Sequence, residues 1–453
     1  MKYNNIKNSL KNRFGKLSFS LKASTVGRFG GVFIFLCCLI NSNAQETIYV
    51  APPQKETIIL TNATIHVGNG QVIENGNVVI SNGKITEVGT SIANGKMIDC
   101  KGKHIYPGLI LTSTQLGLLE VPSVRATIDA TEIGEMNPSI RAIIAYNAES
   151  KIINTLRPNG ILLANIFPDG SLLTGSSSVV QLDAWNWEDA AYKTDAGMHF
   201  NMPSLLPRPR GRSPVLPTAE DPIKKALEQI EKVKVFFREA KGYLAETTHE
   251  NSNLKFAAVK DLFSKKQKLF IHCDIVKEML LAVDFVKEFG FDVVIVGGVD
   301  SWQIAGILKD NNIAVILNQL HSLPAMVDDD VDQPYKTPAL LQKAGVLFSI
   351  NDDDGQTRSR NLPFNAGTAC AYGLSKEEAL TAITLNAAKI LGIDDKTGSV
   401  EKGKDANIVV SEGDILDMKS NNISYAFIQG RQLDLNNKQK QLFEKYKYKY
   451  GIK

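Results

Sequence analysis

The side chains that could do chemistry in this chain stand at or just beyond a few apolar runs. Thr112-Ser113-Thr114-Gln115 follow Tyr106–Leu111, with Glu120 a little beyond, and His272 lies inside Lys268–Cys273. Asp300 follows Asp292–Val296, Asn318 and His321 follow Ile313–Leu317, and Asp352, Asp353 and Asp354 follow Val346–Ile350. Imidazole and carboxylate do general acid–base work or hold a divalent cation, whereas neutral oxygens such as those of Ser113 and Gln115 bind a hard cation weakly. Of the six histidines, His66 and His104 fall among short strands, His199 in an early strand and His249 in a polar loop, so none is an obvious substitute for His272 or His321. Other chemistries lack their signatures: there is no Gly-x-Ser-x-Gly elbow, no P-loop and no dinucleotide fingerprint after a strand. Thr174-Gly175-Ser176-Ser177-Ser178 reads as a backbone-rich turn lining a pocket, and Trp185-Asn186-Trp187 as packing.

The elements that must position these groups follow from hydrophobic period. Gly160–Phe167, Lys268–Cys273, Asp292–Val296, Ile313–Leu317 and Val346–Ile350 are near-continuous apolar runs, the pattern of a parallel sheet covered on both faces. Helical periods lie between them at Ile223–Tyr243, Lys277–Phe289, Ser301–Lys309 and Lys376–Leu391, the last with Ser375 as N-cap and Glu378 three residues on. Asp300 likewise stands where it would cap the helix starting at Ser301. Strand–helix alternation over residues 105–397 predicts an α/β fold, a (β/α)8 TIM-type barrel with its reactive groups at the carboxyl ends of the strands. Short strands and hairpin turns such as Asn82-Gly83 at residues 50–104, with strands of the same character at 398–436, predict a small composite β-sandwich built from both chain ends. Met202–Pro222, with six prolines and three arginines, reads as an extended connection, Asp328–Asp332 as a solvated acidic loop, and residues 437–453 as a basic helix or tail.

Several motifs in this order carry a resemblance. Tyr106-Pro107-Gly108-Leu109-Ile110 leads into the barrel and His272 lies on a later strand. The closing stretch runs from Asn361-Leu362-Pro363-Phe364 through Ala379–Ala388, and Gly398–Asn407 follows. Together they resemble the amidohydrolase superfamily, most closely its imidazolonepropionase-like branch, over roughly residues 57–435. The resemblance implies a metal-dependent barrel that hydrolyses non-peptide C–N bonds in amides and cyclic amides. It makes His272 the fifth-strand metal ligand and Asp353 the eighth-strand aspartate that binds metal and takes the proton from attacking water, with Asp352 one register away. The chain departs from the pattern elsewhere. Where the first strand usually continues Asp-x-His-x-His it reads Leu111-Thr112-Ser113-Thr114-Gln115, the sixth-strand histidine falls near Gly297, and no lysine follows the fourth strand to bridge two metals. The expected site is therefore reduced, with one divalent ion, zinc foremost, held by His272, Asp353, His321 and Asp300. Ser113, Gln115 and Glu120 would touch substrate. Loss of the usual histidines equally fits a non-catalytic barrel that binds a ligand or partners an active paralogue.

Composition narrows the class and the compartment. The 453 residues are 43% apolar and 22% charged, enough to bury sizeable cores. Residues 1–45 hold seven Lys/Arg and no Asp/Glu, so the overall +3 becomes −4 from residue 46 onward, which argues against a nucleic-acid binder. Lys16, Lys22 and Arg28 precede the apolar run Gly31–Ile40, and small residues at Ser42 and Ala44 follow, the grammar of a signal peptide over residues 1–44. The expected location is periplasmic or secreted, with a retained N-terminal anchor as the rival reading and no other membrane contact. Beyond Cys37 and Cys38 the three cysteines make no disulfide framework. The expected partners are a small-molecule substrate and either a second copy or a paralogue.

Overall fold

Alternating apolar positions and tight turns shape the first sheet. A computed structural model describes residues 49–90, 94–206, 221–246, 248–318, 320–324, 328–354 and 358–452. The N-terminal strands are β1 (Ile58–His66), β2 (Val72–Ser81), β3 (Lys84–Gly89), β4 (Lys96–Asp99) and β5 (His104–Pro107). Asn82 (φ 51°) and Gly83 (φ 78°) both take left-handed backbone, the turn that matches strand twist and closes the β2–β3 hairpin. The barrel strands follow: β6 (Leu109–Thr114), β7 (Ile161–Ile166), β8 (Leu173–Gln181), β9 (Ala191–Asn201), β10 (Lys268–Cys273), β11 (Val293–Gly297), β12 (Ala314–Asn318) and β13 (Phe348–Asn351). Last come β14 (Ile408–Ser411), β15 (Ile423–Ile428) and β16 (Arg431–Gln432). The first sheet runs β16-β15-β14-β5-β1-β2-β3, with β4 branching from β1, so it is one hydrogen-bonded sheet drawing on both ends of the described chain. β14 lies antiparallel to β5, pairing Ile408 with Pro107 and Ser411 with His104.

The second sheet runs β6 to β13 in sequence order and is nearly closed. The apolar runs became its parallel strands, as their two-sided burial requires. One strand departs from the expected eightfold repeat. β8 runs antiparallel to both β7 and β9, so β7-β8-β9 is a meander with only the four-residue helix Trp187–Ala190 in its second connection. The expected turn at Thr174–Ser178 is therefore part of a buried strand. Its small side chains suit the barrel interior, where a Cβ on Gly197 of β9 would sit 2.2 Å from the Phe270 ring.

Among the described residues no strand ladder joins β13 back to β6, and side chains close that seam. The Asn351 amide, fully buried, accepts from the backbone N–H of Thr112 (2.9 Å) and Ser113 (3.3 Å) and donates to the Ser113 carbonyl (2.7 Å) and to Asn318 Oδ1 (2.9 Å). It stands in for a peptide group of the missing ladder, and Thr112 Oγ1 meets Ser349 Oγ at 3.2 Å beside it.

Helices Pro222–Ala245, Val276–Phe289 and Ala305–Asp310 match the expected periods, and Gln333–Ala344 and Leu362–Ala371 are helices that no expected period covered. The expected Lys376–Leu391 helix is two, Lys376–Ala382 and Leu385–Leu391, the first with Ser375 and Glu378 forming a full capping box. The C-terminal stretch is the helix Lys438–Tyr450. Phe237, Phe285 and Phe291 pack between helices and sheet, while Ile110, Leu163, Phe270, Val294 and Ile316 fill the barrel. Arg157 and Arg431 grip Asp183 from two sides at 2.8 Å each, and Ala51 N–H donates to the same carboxylate at 3.1 Å. This knot pins the start of the described chain, the end of β8 and the end of the first sheet together. Cys100, Cys273 and Cys370 are free thiols. The expected signal segment and most of the Pro/Arg-rich connection lie outside the described residues. Among those described, no helix is long and apolar enough to cross a membrane.

Candidate functional site

Side chains alternate along a strand, so His272 shares the inward face of β10 with Phe270, while Leu269, Ile271 and Cys273 face the helices. Being last on that face, His272 reaches a cavity of about 1060 Å³ at the carboxyl ends of the parallel strands. Asp353, two residues past β13, lines the same cavity. So do three carboxylates that sequence reasoning missed, Asp169, Asp274 and Glu278, beside apolar Met202, Val296 and Leu323.

The remaining expected residues scatter. Asp300 is 4% exposed and its carboxylate accepts from the Val276 backbone N–H rather than capping the helix at Ser301, while its Oδ1 has no partner among the described residues. Burial, then the charges of Asp329, Asp274 and Glu278, push its carboxyl up to about 6. His321 is exposed, with Nε2 2.8 Å from Thr368 Oγ1 on the Leu362–Ala371 helix and its ring edge-on to Tyr335. Neither Asp300 nor His321 lines the cavity with His272 and Asp353. Ser113 is fully buried, its hydroxyl without a partner among the described residues. Gln115 donates to Asp169 Oδ2 at 3.1 Å, which couples it to the cavity wall, whereas Glu120 accepts from Asn147 away from it.

Gly297 occupies the place where the resemblance puts a sixth-strand histidine. Its φ of +103° is glycine territory, and a Cβ there would stand 2.4 Å from Asp274 Oδ1. Asp274 thus fills the space a side chain at 297 would need. Glu278 Oε2 accepts from the Asp274 N–H at 3.3 Å and its Oε1 from Leu205 N–H at 2.9 Å, tying the cavity wall to the Val276–Phe289 helix.

His272 has a neighbour that sequence reasoning left in an early strand without a role. His199 of β9 is fully buried, lies face to face between the rings of Phe167 and Phe270 (4.9 Å each), and brings Nδ1 to 2.8 Å from His272 Nε2. Burial lowers the His272 imidazole to about 4, and His199 falls well below its ordinary range for the same reason, so both rings are neutral at pH 7. A metal fits this arrangement poorly. His272 Nε2 is already engaged by His199, and among the described residues no three His, Cys, Asp or Glu side chains converge as a tetrahedral site needs. The expected four-ligand set is not assembled.

Comparison with known proteins bears on the fold that carries these residues. A family model described as the amidohydrolase family matches residues 335–433, a segment that holds Asp353 and leaves out His272 and Ser113. An imidazolonepropionase of Thermoplasma volcanium is 41% identical over 86 residues, 18% of this chain and 21% of that one. An amidohydrolase of Thermotoga maritima superposes with a TM-score of 0.73 at 24% identity, over 83% of this chain and 99% of that one. Over residues 335–433 the chain matches the amidohydrolase family, and its fold is that of an amidohydrolase barrel. Its sequence kinship lies towards the imidazolonepropionases; that of Flavobacterium johnsoniae is 35% identical over 82 residues, 17% of this chain and 20% of that one. The matched segments span about a fifth of either relative's length. An adenosine deaminase of Xanthomonas campestris with bound zinc shares the fold alone, with a TM-score of 0.51 and 14% identity over 88% of this chain and 99% of that one.

Proposed function

We propose that this chain is an exported hydrolase that cleaves a non-peptide C–N bond, in an amide or cyclic amide, of a small molecule held in the barrel-mouth cavity. The observation that carries the reading is that His272 and Asp353, from β10 and from just past β13, line one cavity at the carboxyl ends of the strands, where reactive groups of such barrels stand. Asp353 takes the proton from the attacking water as general base. The buried Met202 and Val296 side chains give the cavity an apolar wall beside the bond being broken. Export rests on the leader-like pattern of residues 1–44, ahead of an N-terminal boundary near Ala44-Gln45.

A second reading has its own support. The Nε2 of His272 committed to His199, and the lack of three convergent donors among the described residues, favour a ligand-binding barrel without turnover, alone or beside an active paralogue. The two separate in one experiment on residues 45–453. A panel of amides and cyclic amides is screened for both hydrolysis and thermal stabilisation, with Asp353→Asn as control. Turnover abolished by Asp353→Asn, with stabilisation kept, supports the hydrolase. Stabilisation by a compound that is never turned over supports the binding barrel.

A further inference from the structure

The contact between His199 and His272 fixes more than their proximity. A hydrogen bond between His199 Nδ1 and His272 Nε2 needs one proton between two neutral rings, so only two arrangements exist. In the first, His272 donates from Nε2 and His199 carries its own proton on Nε2. That atom is buried without a partner among the described residues, and the rings of Phe167 and Phe270 cover only the two faces. An orphaned buried N–H is the rarer and costlier defect. In the second, His199 donates from Nδ1, its bare Nε2 is left as an unfilled acceptor, and His272 must carry its proton on Nδ1. The second arrangement leaves no buried donor unpaired.

The His272 Nδ1 makes no hydrogen bond within the described protein and is not among its buried unpartnered atoms, so it is the ring nitrogen left to the cavity. We propose that His199 is a positioning residue that holds His272 as the Nδ1–H tautomer, so that His272 offers a hydrogen bond to an acceptor oxygen in the cavity instead of a lone pair to a metal. The ligand it fits carries a carbonyl or carboxylate oxygen. On the hydrolase reading above, on which this role in turnover rests, His272 is the neutral donor that polarises the scissile carbonyl while Asp353 takes the proton of the water that attacks its carbon and hands it to the nitrogen leaving as the C–N bond breaks. Phe167 and Phe270 keep the His199 ring from turning, and the stacking leaves it one edge to work with.

The test reads the tautomer directly. Uniformly 15N-labelled residues 45–453 at pH 7.5 give long-range 15N–1H correlations in which a protonated and a bare ring nitrogen differ plainly. The peaks are assigned by His199→Gln and His272→Gln. Expected are a protonated Nδ1 and a bare Nε2 on His272 in the wild type, and a mixture of both tautomers once His199→Phe removes the donor. His199→Asn, whose amide can still donate, should restore part of the Nδ1–H form. A wild-type His272 protonated on Nε2 overturns the proposal, and that spectrum needs no variant to fold. Added ZnCl2 is the second arm: no stoichiometric zinc dependent on His272 is expected by calorimetry, and zinc that binds at His272 Nε2 overturns it. Neither arm requires turnover, so a failed hydrolysis screen sinks the hydrolase reading without touching the tautomer.

Discussion

Replacing Asn351 by Ala should open the barrel seam at a cost large enough to measure. The side chain is fully buried and is the sole amide bridging β13 to β6, where no backbone ladder runs among the described residues. Truncation leaves the Thr112 N–H, the Ser113 carbonyl and Asn318 Oδ1 without this partner. At roughly 1–3 kcal/mol for each buried polar group left unpaired, and with a water able to take up part of the vacated volume, the loss should be about 3–5 kcal/mol. Asn351→Asp makes a sharper comparison. A carboxylate still accepts from Thr112 and Ser113 but turns lone pairs against the Ser113 carbonyl and Asn318 Oδ1, a clash that protonation relieves. Its cost should therefore shrink as pH falls below 5, whereas that of Asn351→Ala should not. Urea denaturation followed by tryptophan fluorescence and by circular dichroism measures both. A loss below about 1 kcal/mol for Asn351→Ala would mean the seam is held by something other than this amide.

Three further outcomes follow from buried groups. Asp183→Asn leaves Arg157 and Arg431 facing each other without their shared carboxylate and should cost about 3–5 kcal/mol, read as a drop in melting temperature; a shift under a degree would refute the knot's role. The His272 imidazole is lowered to about 4 in the folded chain against an ordinary 6.5, so the unfolded chain takes up the proton first. Its contribution is whole above pH 6.5 and drains away as pH falls towards 4, by up to about 3 kcal/mol, a slope that His272→Gln should flatten in pH-resolved denaturation. Gly297→Ala forces a Cβ to 2.4 Å from Asp274 Oδ1 at a φ of +103° and should cost about 1–3 kcal/mol, with altered binding of any cavity ligand; an unchanged stability curve would show that Asp274 moves freely.

Much of the barrel was legible because burial on two faces writes itself into sequence as unbroken apolar runs, as in Leu269-Phe270-Ile271 and Val293–Val296. The β8 strand was not, because its Thr174–Ser178 core looks like a turn. Its Gly175 answers to a distant segment, where a Cβ would stand 2.5 Å from the Ile140 carbonyl, which no local pattern reports. The site divides the same way. His272 and Asp353 end apolar runs and were found. Asp169 sits in Pro168-Asp169-Gly170, which reads as an ordinary turn, and Asp274 and Glu278 read as the start of a helix. His199 was seen but not weighed, since its importance is a 2.8 Å contact to a residue 73 positions away. Asp300 and His321 followed apolar runs too, yet Asp300 turns to the Val276 N–H and His321 to Thr368.

The pairing of β14 with β5 also sets a clock on how the chain is made. β5 is complete at Pro107, but its neighbour does not begin until Ile408, so one edge of the first sheet stays bare while the whole barrel is synthesised. At about 5–20 residues per second that wait is roughly 15–60 s, long enough for an unpaired edge to find a wrong partner. Release of the finished C-terminus, rather than formation of the barrel, is then the step at which a newborn chain becomes safe from its neighbours. A cell short of holding chaperones should lose this protein to aggregates.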